Sequence, residues 1–264
     1  MPHSSNAKIR FSANVSMLFT ELEPLDRIAA AARAGFDAVE WQFPHNLPLD
    51  EIRVRADALG LAVNHVNTSA GNPGEFGLAA QPGREEDFFR ALDQALESAV
   101  KLGCLTIHCM SGCVAEGQTA HARQTFLQNM AKANIAARSA NVTLCIEPIN
   151  TRDRPGYFVS RSDEIVELLQ QIGGSHVKLL FDFYHIQIME GDLLQRMERH
   201  WPYIGHFQFA SVPSRNEPDR GEVNYAAIFA AIAQRGWTGF AGAEYRPAGR
   251  TQDGLGWLKT LAPA

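Results

Sequence analysis

The stretch from residue 143 to residue 182 reads TLCIEPINTRDRPGYFVSRSDEIVELLQQIGGSHVKLLFD. It begins and ends in short apolar runs, Thr143–Glu147 and Lys178–Asp182, which predict two buried β-strands. Between them, Ser162–Ile172 has the apolar spacing of an amphipathic helix. A strand, a helix and a second strand in this order predict a parallel βαβ unit. Each of the two strands ends in a carboxylate.

The same alternation continues along the whole chain of 264 residues. Six further strands are predicted at Arg10–Ser16, Ala38–Gln42, Ala62–Asn67, Leu105–Met110, Gly205–Phe209 and Phe240–Glu244. Further helices are predicted at Pro24–Ala34, Leu49–Leu59, Arg84–Leu102, Thr119–Ser139, Leu193–Trp201, Ala226–Arg235 and Thr251–Leu261. Eight strand–helix pairs, in a chain close to the roughly 250 residues of a TIM barrel, predict an α/β fold. We expect one (β/α)8 TIM barrel domain over residues 1–264.

Composition and charge narrow the class of function. The net charge of −5 includes no basic run, so we expect no nucleic-acid partner, because binding to a phosphate backbone needs a positive surface. No apolar stretch has the length of a membrane span or of a signal-peptide core, which predicts a cytoplasmic protein with no membrane partner. Neither GxGxxG nor a Walker sequence is present, so no nucleotide cofactor is expected. A homo-oligomer is compatible with the sequence.

Four strands that are consecutive in the chain end in side chains with ligand oxygen atoms: Glu147, Asp182, Gln208 and Glu244. Because the carboxyl ends of the strands form the active-site rim of a TIM barrel, these side chains are expected to converge. Three carboxylates and an amide at one point would repel one another without a cation. An all-oxygen set favours Mg²⁺ or Mn²⁺. The sequence therefore predicts one divalent metal ion bound by these four residues.

Other polar residues lie on the same predicted rim. His65, His108 and His185 lie on or just past strands, and three converging histidines favour contacts with substrate hydroxyl groups or support of the metal ligands. A single strand histidine is equally compatible with a buried structural role. Glu40 lies at a comparable point of the second strand and is predicted to orient the metal ligands from behind, with an ion pair to a basic residue as the alternative.

A glycine-rich loop between residues 71 and 83 follows the third strand and has the composition of a lid. Glu75 and Phe76 are its candidate functional residues, placed to exclude water from a reacting substrate. Arg84 directly follows the loop, where its alternative role is to anchor the next helix.

Several longer motifs resemble those of a known family. They are FSANVSMLF at 11–19, AGFDAVEWQFP at 34–44, PGRE at 82–85, IEPIN at 146–150, PGYF at 155–158, DFYHIQIMEGDL at 182–193, GEVNY at 221–225 and GAEYRP at 242–247. Over nearly its whole length the chain resembles the hydroxypyruvate isomerases, within the xylose isomerase-like TIM barrels. The resemblance implies the same four metal ligands, with Glu147 and Glu244 also acting as the paired acid and base.

Related ketose epimerases have a histidine where this chain has Gln208. They also bind substrate with a histidine three residues after the metal-binding aspartate and with an arginine in the loop after the seventh strand. In this chain His185, three residues after Asp182, and Arg215 match those places. Arg215 is also the arginine that we expect to bind the carboxylate of the substrate. The implied reaction converts hydroxypyruvate to tartronate semialdehyde through an enediolate, so the expected partner is a small hydroxy or oxo acid. A 2-oxo-tetronate isomerase, a ketose 3-epimerase and a non-catalytic sugar-acid-binding barrel remain alternatives.

Overall fold

Eight parallel strands form one closed barrel in chain order, and the last strand pairs with the first. The computed structural model describes residues 8–261. The strands are β1 (Arg10–Asn14), β2 (Ala38–Trp41), β3 (Ala62–Asn67), β4 (Thr106–His108), β5 (Thr143–Ile146), β6 (Val177–Asp182), β7 (Ile204–Phe209) and β8 (Phe240–Ala243). The predicted (β/α)8 barrel is confirmed.

Helices lie between consecutive strands and after the last one. They are α1 (Asp26–Ala34), α2 (Leu49–Ala58), α3 (Glu85–Leu102), α4 (Thr119–Ser139), α5 (Ser162–Ile172), α6 (Phe183–Met189), α7 (Leu193–His200), α8 (Tyr225–Gln234) and α9 (Trp257–Thr260). Short 3₁₀ turns occupy Pro44–Asn46, Trp201–Tyr203 and Thr251–Gly254. None of the helices between residues 8 and 261 combines the length and the apolar character needed to cross a membrane.

The alternation of side chains along β7 shows how the strands place the site. Phe207 and Phe209 point outward, where their rings contact Trp237 and Trp257 at centroid distances of 4.8 and 5.3 Å. Because successive side chains of a strand point to opposite faces, His206 and Gln208 point into the barrel. The outer aromatic contacts thus fix which residues of this strand reach the interior.

One predicted helix differs from the structure, and one helix of the structure was not predicted. The predicted helix Thr251–Leu261 is wrong in its continuity, since a 3₁₀ turn and α9 replace it and the weak helix formers Gly254 and Gly256 separate them. The sequence reading also missed α6, which begins directly after Asp182. Four of its seven residues are buried, so this short helix shows little of the periodic polar face that predicts helices.

Candidate active site

The carboxyl ends of the strands surround a cavity of about 200 Å³. The predicted catalytic residues Glu147 and Glu244 both line it. The other lining residues are Gln42, Phe43, Asn67, Ala70, Phe76, His108, Met110, Ile149, Asp153, Arg154, His185 and Arg215. The structure therefore brings most of the predicted site residues to one small cavity.

Glu147 and Asp182 place unpaired oxygen atoms beneath this cavity. Both side chains are buried, Glu147 directly after β5 and Asp182 at the end of β6. Asp182 Oδ1 accepts a hydrogen bond of 2.8 Å from the Tyr184 backbone N–H, whereas Asp182 Oδ2 and Glu147 Oε1 have no hydrogen-bond partner among residues 8–261. A buried carboxylate oxygen without a partner is costly. A divalent cation fits this pair because it would satisfy both oxygen atoms.

Burial shifts the pKa values of the carboxyl groups upward in the metal-free chain. The pKa of Glu147 is raised well above its usual value by burial and by repulsion from Glu244 and Asp182. Burial raises the pKa of Asp182 to about 7, although Arg215 opposes the shift. The pKa of Glu244 is also raised by burial, again against the effect of Arg215. Burial is the largest cause in all three cases, so ionising these groups places poorly solvated negative charge at the site.

The neighbouring histidines do not balance that charge. His108 Nδ1 lies 3.4 Å from Glu147 Oε2, and His185 Nε2 lies 3.6 Å from Glu147 Oε1. Burial lowers the pKa of His108 to about 3 and that of His185 well below its usual value, so both rings are neutral near pH 7. When all three carboxyl groups are ionised, Arg215 does not balance their charge, and a divalent cation would reduce the remaining repulsion.

Arg215 and two amides hold the Glu244 carboxylate. Arg215 Nη2 donates a hydrogen bond of 2.9 Å to Glu244 Oε2. On the other oxygen, Glu244 Oε1 accepts from Asn14 Nδ2 at 2.9 Å and from Gln42 Nε2 at 3.0 Å. The Arg215 backbone has a φ of 55°, and its carbonyl accepts a hydrogen bond of 2.8 Å from the Arg246 N–H. The loop after β7 is thereby tied to the segment after β8.

Gln208 lies behind the carboxylates and is bound by Glu40. The Gln208 Nε2 atom donates to Glu40 Oε2 at 2.9 Å, and His206 Nε2 lies 2.7 Å from Glu40 Oε1. Glu40 is fully buried, and Gly242 leaves room for it, since a Cβ there would come within 2.2 Å of Glu40 Oε1. The structure therefore places Glu40 in direct contact with a predicted metal ligand.

His65 lies apart from the other predicted substrate ligands. Its ring stacks on His206 at a centroid distance of 4.5 Å, and its Nδ1 atom lies 2.8 Å from Thr106 Oγ1. His65 is not among the residues that line the cavity. It belongs to the layer of side chains around Glu40.

Asn150 fixes which nitrogen of His185 carries hydrogen. The Asn150 backbone N–H donates to His185 Nδ1 at 3.2 Å, and the Asn150 side-chain Nδ2 lies 2.6 Å from the same atom. The amide orientation follows from Asn150 Oδ1, which accepts a hydrogen bond of 2.8 Å from the Asp153 N–H. With Nδ1 accepting, the neutral ring carries its hydrogen on Nε2, toward Glu147 and Asp182. His185 thus presents a donor, rather than a metal-binding lone pair, to the site, although its Nε2 lies within 4.8 Å of oxygens of both carboxylates.

The glycine-rich loop covers one side of the cavity. Phe76 lines the cavity, and the Arg154 guanidinium lies 4.0 Å above its ring. Glu75 does not line it; its carboxylate pairs with Arg84 and accepts from the Asn72 N–H at 2.6 Å. Glu75 therefore holds the loop to the start of α3, while Phe76 faces the cavity.

Several residues of the site were missed by the sequence reading. Asn14 ends β1, and the rule that identified the other strand-end residues applies to it as well. Asn150, Asp153 and Arg154 lie in an irregular loop after β5, where no periodic pattern predicts which side chains turn inward.

Known proteins resemble this chain over most of its length. A family model described as xylose isomerase-like TIM barrel matches residues 28–261. A 2-oxo-tetronate isomerase of Cupriavidus necator is 47% identical over 253 residues, covering 95% of this chain and 97% of that protein. The hydroxypyruvate isomerase of Escherichia coli is 36% identical over 253 residues, covering 95% of this chain and 98% of that protein.

Solved structures share the fold. A Brucella melitensis protein described as an AP endonuclease of family 2 is 38% identical, with a TM-score of 0.93 and coverage of 97% of this chain and 100% of that chain. A D-psicose 3-epimerase from Clostridium cellulolyticum is 18% identical, with a TM-score of 0.76 and coverage of 94% of this chain and 89% of that chain. At such low identity the epimerase shows the shared barrel alone. From the family match and the similarity to the two isomerases, the chain belongs to the xylose isomerase-like TIM barrel family.

Proposed function

We propose that this protein is a metal-dependent isomerase that interconverts short 2-oxo-3-hydroxy acids and 2-hydroxy-3-oxo acids. The observation that carries the proposal is the pair Glu147 and Glu244, two buried carboxyl groups that line one cavity. A carboxyl group next to the reacting carbons can both accept and return a proton. The names of the relatives, 2-oxo-tetronate isomerase and hydroxypyruvate isomerase, support this reaction class.

Glu147, Asp182, Gln208 and Glu244 would hold the metal ion, with Mg²⁺ or Mn²⁺ favoured by their oxygen atoms. The unpaired Glu147 Oε1 and Asp182 Oδ2 atoms support this assignment. When bound, the ion supplies positive charge next to the substrate oxygens on which negative charge develops.

The chain's own residues would carry the proton. One of the two glutamates removes a proton from carbon 3, which leaves an enediolate, and the same or the opposite glutamate returns a proton to carbon 2. The hydroxyl proton moves from oxygen 3 to oxygen 2, so that oxygen 3 becomes the aldehyde oxygen and oxygen 2 the hydroxyl. The His185 Nε2–H group donates a hydrogen bond to a substrate oxygen. Arg215 keeps the Glu244 carboxylate oriented through its 2.9 Å contact. The acid substrate and product differ only in the positions of their hydrogens, so no redox cofactor is consumed.

Hydroxypyruvate and 2-oxo-tetronate share this reacting segment, and they differ by one carbon. The sequence motifs favour hydroxypyruvate, with tartronate semialdehyde as its product. The relative of 47% identity is named for the four-carbon acid, which makes 2-oxo-tetronate the second candidate substrate.

Turnover of the two acids tests the proposal. Protein stripped of metal and reloaded with Mn²⁺ or Mg²⁺ is incubated with each acid, and products are followed by proton NMR. We expect isomerisation of at least one acid, only with metal present. Inertness toward both acids with either metal would contradict the proposal, and the acid with the larger kcat/KM identifies the preferred substrate.

A further inference from the structure

We propose that Arg154 forms the subsite for the substrate carboxylate and that Phe76 holds its guanidinium in place. The inference rests on the proposed function in one respect, namely that the ligand is a short acid. It assigns a specificity-determining role to Arg154, a residue that the proposed reaction does not use.

Arg154 is a cation with free hydrogen-bonding capacity in the cavity. It is half-buried and lines the cavity together with Glu147 and His185. Its Nη1 atom donates a hydrogen bond of 2.8 Å to the Asp153 carbonyl oxygen. In the described part of the chain, no carboxylate forms an ion pair with the Arg154 guanidinium. A guanidinium has five N–H donors in a planar fork that matches a carboxylate. Most of the Arg154 donors are therefore available to an anionic ligand.

Arg215, the other arginine of the cavity, is already engaged. It contacts Glu244 at 2.9 Å and Asp153 at 3.7 Å, and its guanidinium lies 4.9 Å from the Tyr184 ring centroid. The three buried carboxylates around it need its charge. Of the two arginines, Arg154 is thus the one whose positive charge is available to a substrate carboxylate.

The backbone near Arg154 is tied to the catalytic end of the cavity. The Arg154 backbone N–H donates a hydrogen bond of 3.1 Å to the Asn150 carbonyl oxygen, and Asn150 is the residue that orients His185. Arg154 and His185 also line the same cavity. A carboxylate bound by Arg154 would therefore lie next to the oxygen that His185 contacts. This order matches a 2-oxo acid, whose carboxylate is bonded to the oxo carbon.

Phe76 determines where the guanidinium lies. The ring is 4.0 Å from the Arg154 guanidinium carbon, a distance typical of a cation–π contact. The loop behind it is fixed, because Gly77 packs so closely on Met110 that a Cβ would come within 2.4 Å of the Met110 backbone. Arg154 is thus held in position by a rigid ring before any ligand binds, which reduces the entropy lost on binding.

A comparison of two substrates, one with and one without a carboxylate, measures the contribution of the substrate carboxylate to binding. Dihydroxyacetone is hydroxypyruvate with a neutral hydroxymethyl group in place of the carboxylate. Arg154→Met should raise the KM for the acid about tenfold to hundredfold, as expected for the loss of a charge-assisted hydrogen bond, and leave kcat/KM for the neutral ketose within about twofold. Arg154→Lys should raise the KM for the acid less than Arg154→Met does, because a positive charge is kept. Phe76→Leu should also raise this KM, by a smaller factor than Arg154→Met. Arg152→Met is the matched control, because Arg152 is exposed in the same loop.

A binding measurement separates this subsite from the proposed reaction. D-glycerate, an acid that lacks the oxo group, should raise the melting temperature of metal-loaded wild type and of Arg152→Met, but not that of Arg154→Met. The shift produced by Mn²⁺ alone should be equal in all three proteins.

If wild type turns over neither acid but the glycerate shift depends on Arg154, the reaction is wrong and the subsite stands. If the acids are turned over and Arg154→Met changes acid and ketose equally, or changes neither, the subsite is overturned. A wild type with neither turnover nor a glycerate shift overturns both.

Discussion

The Glu40 carboxylate accepts a hydrogen bond of 2.9 Å from Nε2 of Gln208 at the centre of the barrel. An ionised carboxylate only accepts hydrogen bonds, so this contact determines which end of the Gln208 amide faces Glu40. The Oε1 atom of Gln208 is left free to act as a ligand. Asn64 Nδ2 at 3.3 Å and His206 Nε2 at 2.7 Å hold Glu40 in turn. Glu40 thus orients a predicted metal ligand from behind.

Replacing Glu40 should weaken metal binding more than it weakens the fold. In Glu40→Gln, the amide nitrogen of the new glutamine replaces one of the two oxygens that contact Gln208 and His206. It is a donor and cannot accept a hydrogen bond from either residue, so Gln208 loses its fixed orientation. We expect Mn²⁺ affinity, measured by EPR titration, to fall about tenfold to hundredfold, as is typical for groups that orient metal ligands. Glu51→Gln on the exposed face of α2 is the control. Wild-type affinity in Glu40→Gln would show that Gln208 needs no such partner.

A methyl group at residue 242 should displace Glu40. In Gly242→Ala the new Cβ would lie within 2.2 Å of Glu40 Oε1 and 2.6 Å of Glu40 Oε2. We expect urea unfolding to show a loss of about 1–3 kcal/mol, together with weaker Mn²⁺ binding. Gly249→Ala meets no atom within 4 Å and should leave both quantities unchanged. Equal behaviour of the two variants would contradict the tight packing on Glu40.

The three buried carboxyl groups should make metal-free protein less stable as the pH rises. Burial raises the pKa of Asp182 from 3.8 to about 7, and burial also raises the pKa values of Glu147 and Glu244. A carboxyl group whose pKa is raised by folding stabilises the folded state below its unfolded pKa and loses that effect as the pH passes through the folded pKa. For Asp182 the window runs from about pH 4 to about pH 7, with a slope of up to about 1.4 kcal/mol per pH unit for one group.

Urea unfolding in the presence of a chelator, at several pH values, measures this loss. Mn²⁺ should restore more stability at pH 7.5 than at pH 5, because only ionised carboxylates bind it. Glu147→Gln should flatten the profile of the metal-free protein. The neutral, buried His108 and His185 have lowered pKa values and act in the opposite direction below about pH 6.5, so the quantity compared is the difference between wild type and Glu147→Gln. An equal pH dependence of the two metal-free proteins would contradict the raised pKa of Glu147.

A carboxylate at residue 150 should impair His185. In the wild type, the Asn150 side-chain nitrogen lies 2.6 Å from His185 Nδ1 as a donor. Asn150→Asp replaces this donor by an acceptor, which favours a hydrogen on Nδ1. The Nε2 donor toward the cavity is then lost, and we expect kcat to fall at least about tenfold. Asn141→Asp, in the turn before β5, is the control. Steady-state kinetics on the acid give the comparison, and an unchanged kcat would remove His185 Nε2–H from the proposed chemistry.

The barrel and the positions of the four predicted metal ligands could be inferred from local sequence. Glu147, Asp182 and Glu244 each end an apolar run, Gln208 precedes the last residue of β7, and strand direction places such residues toward the carboxyl ends of the strands. The side chains that orient them could not be inferred in the same way. Asn150 contacts His185 and Arg154 stacks on Phe76 because irregular loops bring distant segments together, and neither alternation nor helical spacing carries that information.

Proton transfer by the two cavity glutamates is the central claim, and solvent deuterium exchange tests it most directly. Metal-loaded wild type, Glu147→Gln and Glu244→Gln are incubated with the acid in deuterated water, and deuterium at carbons 2 and 3 is followed by NMR. We predict incorporation in wild type and a loss of at least about hundredfold in each variant, with the fold intact by circular dichroism. Exchange at the wild-type rate in either folded variant would contradict the assignment of that glutamate to proton transfer.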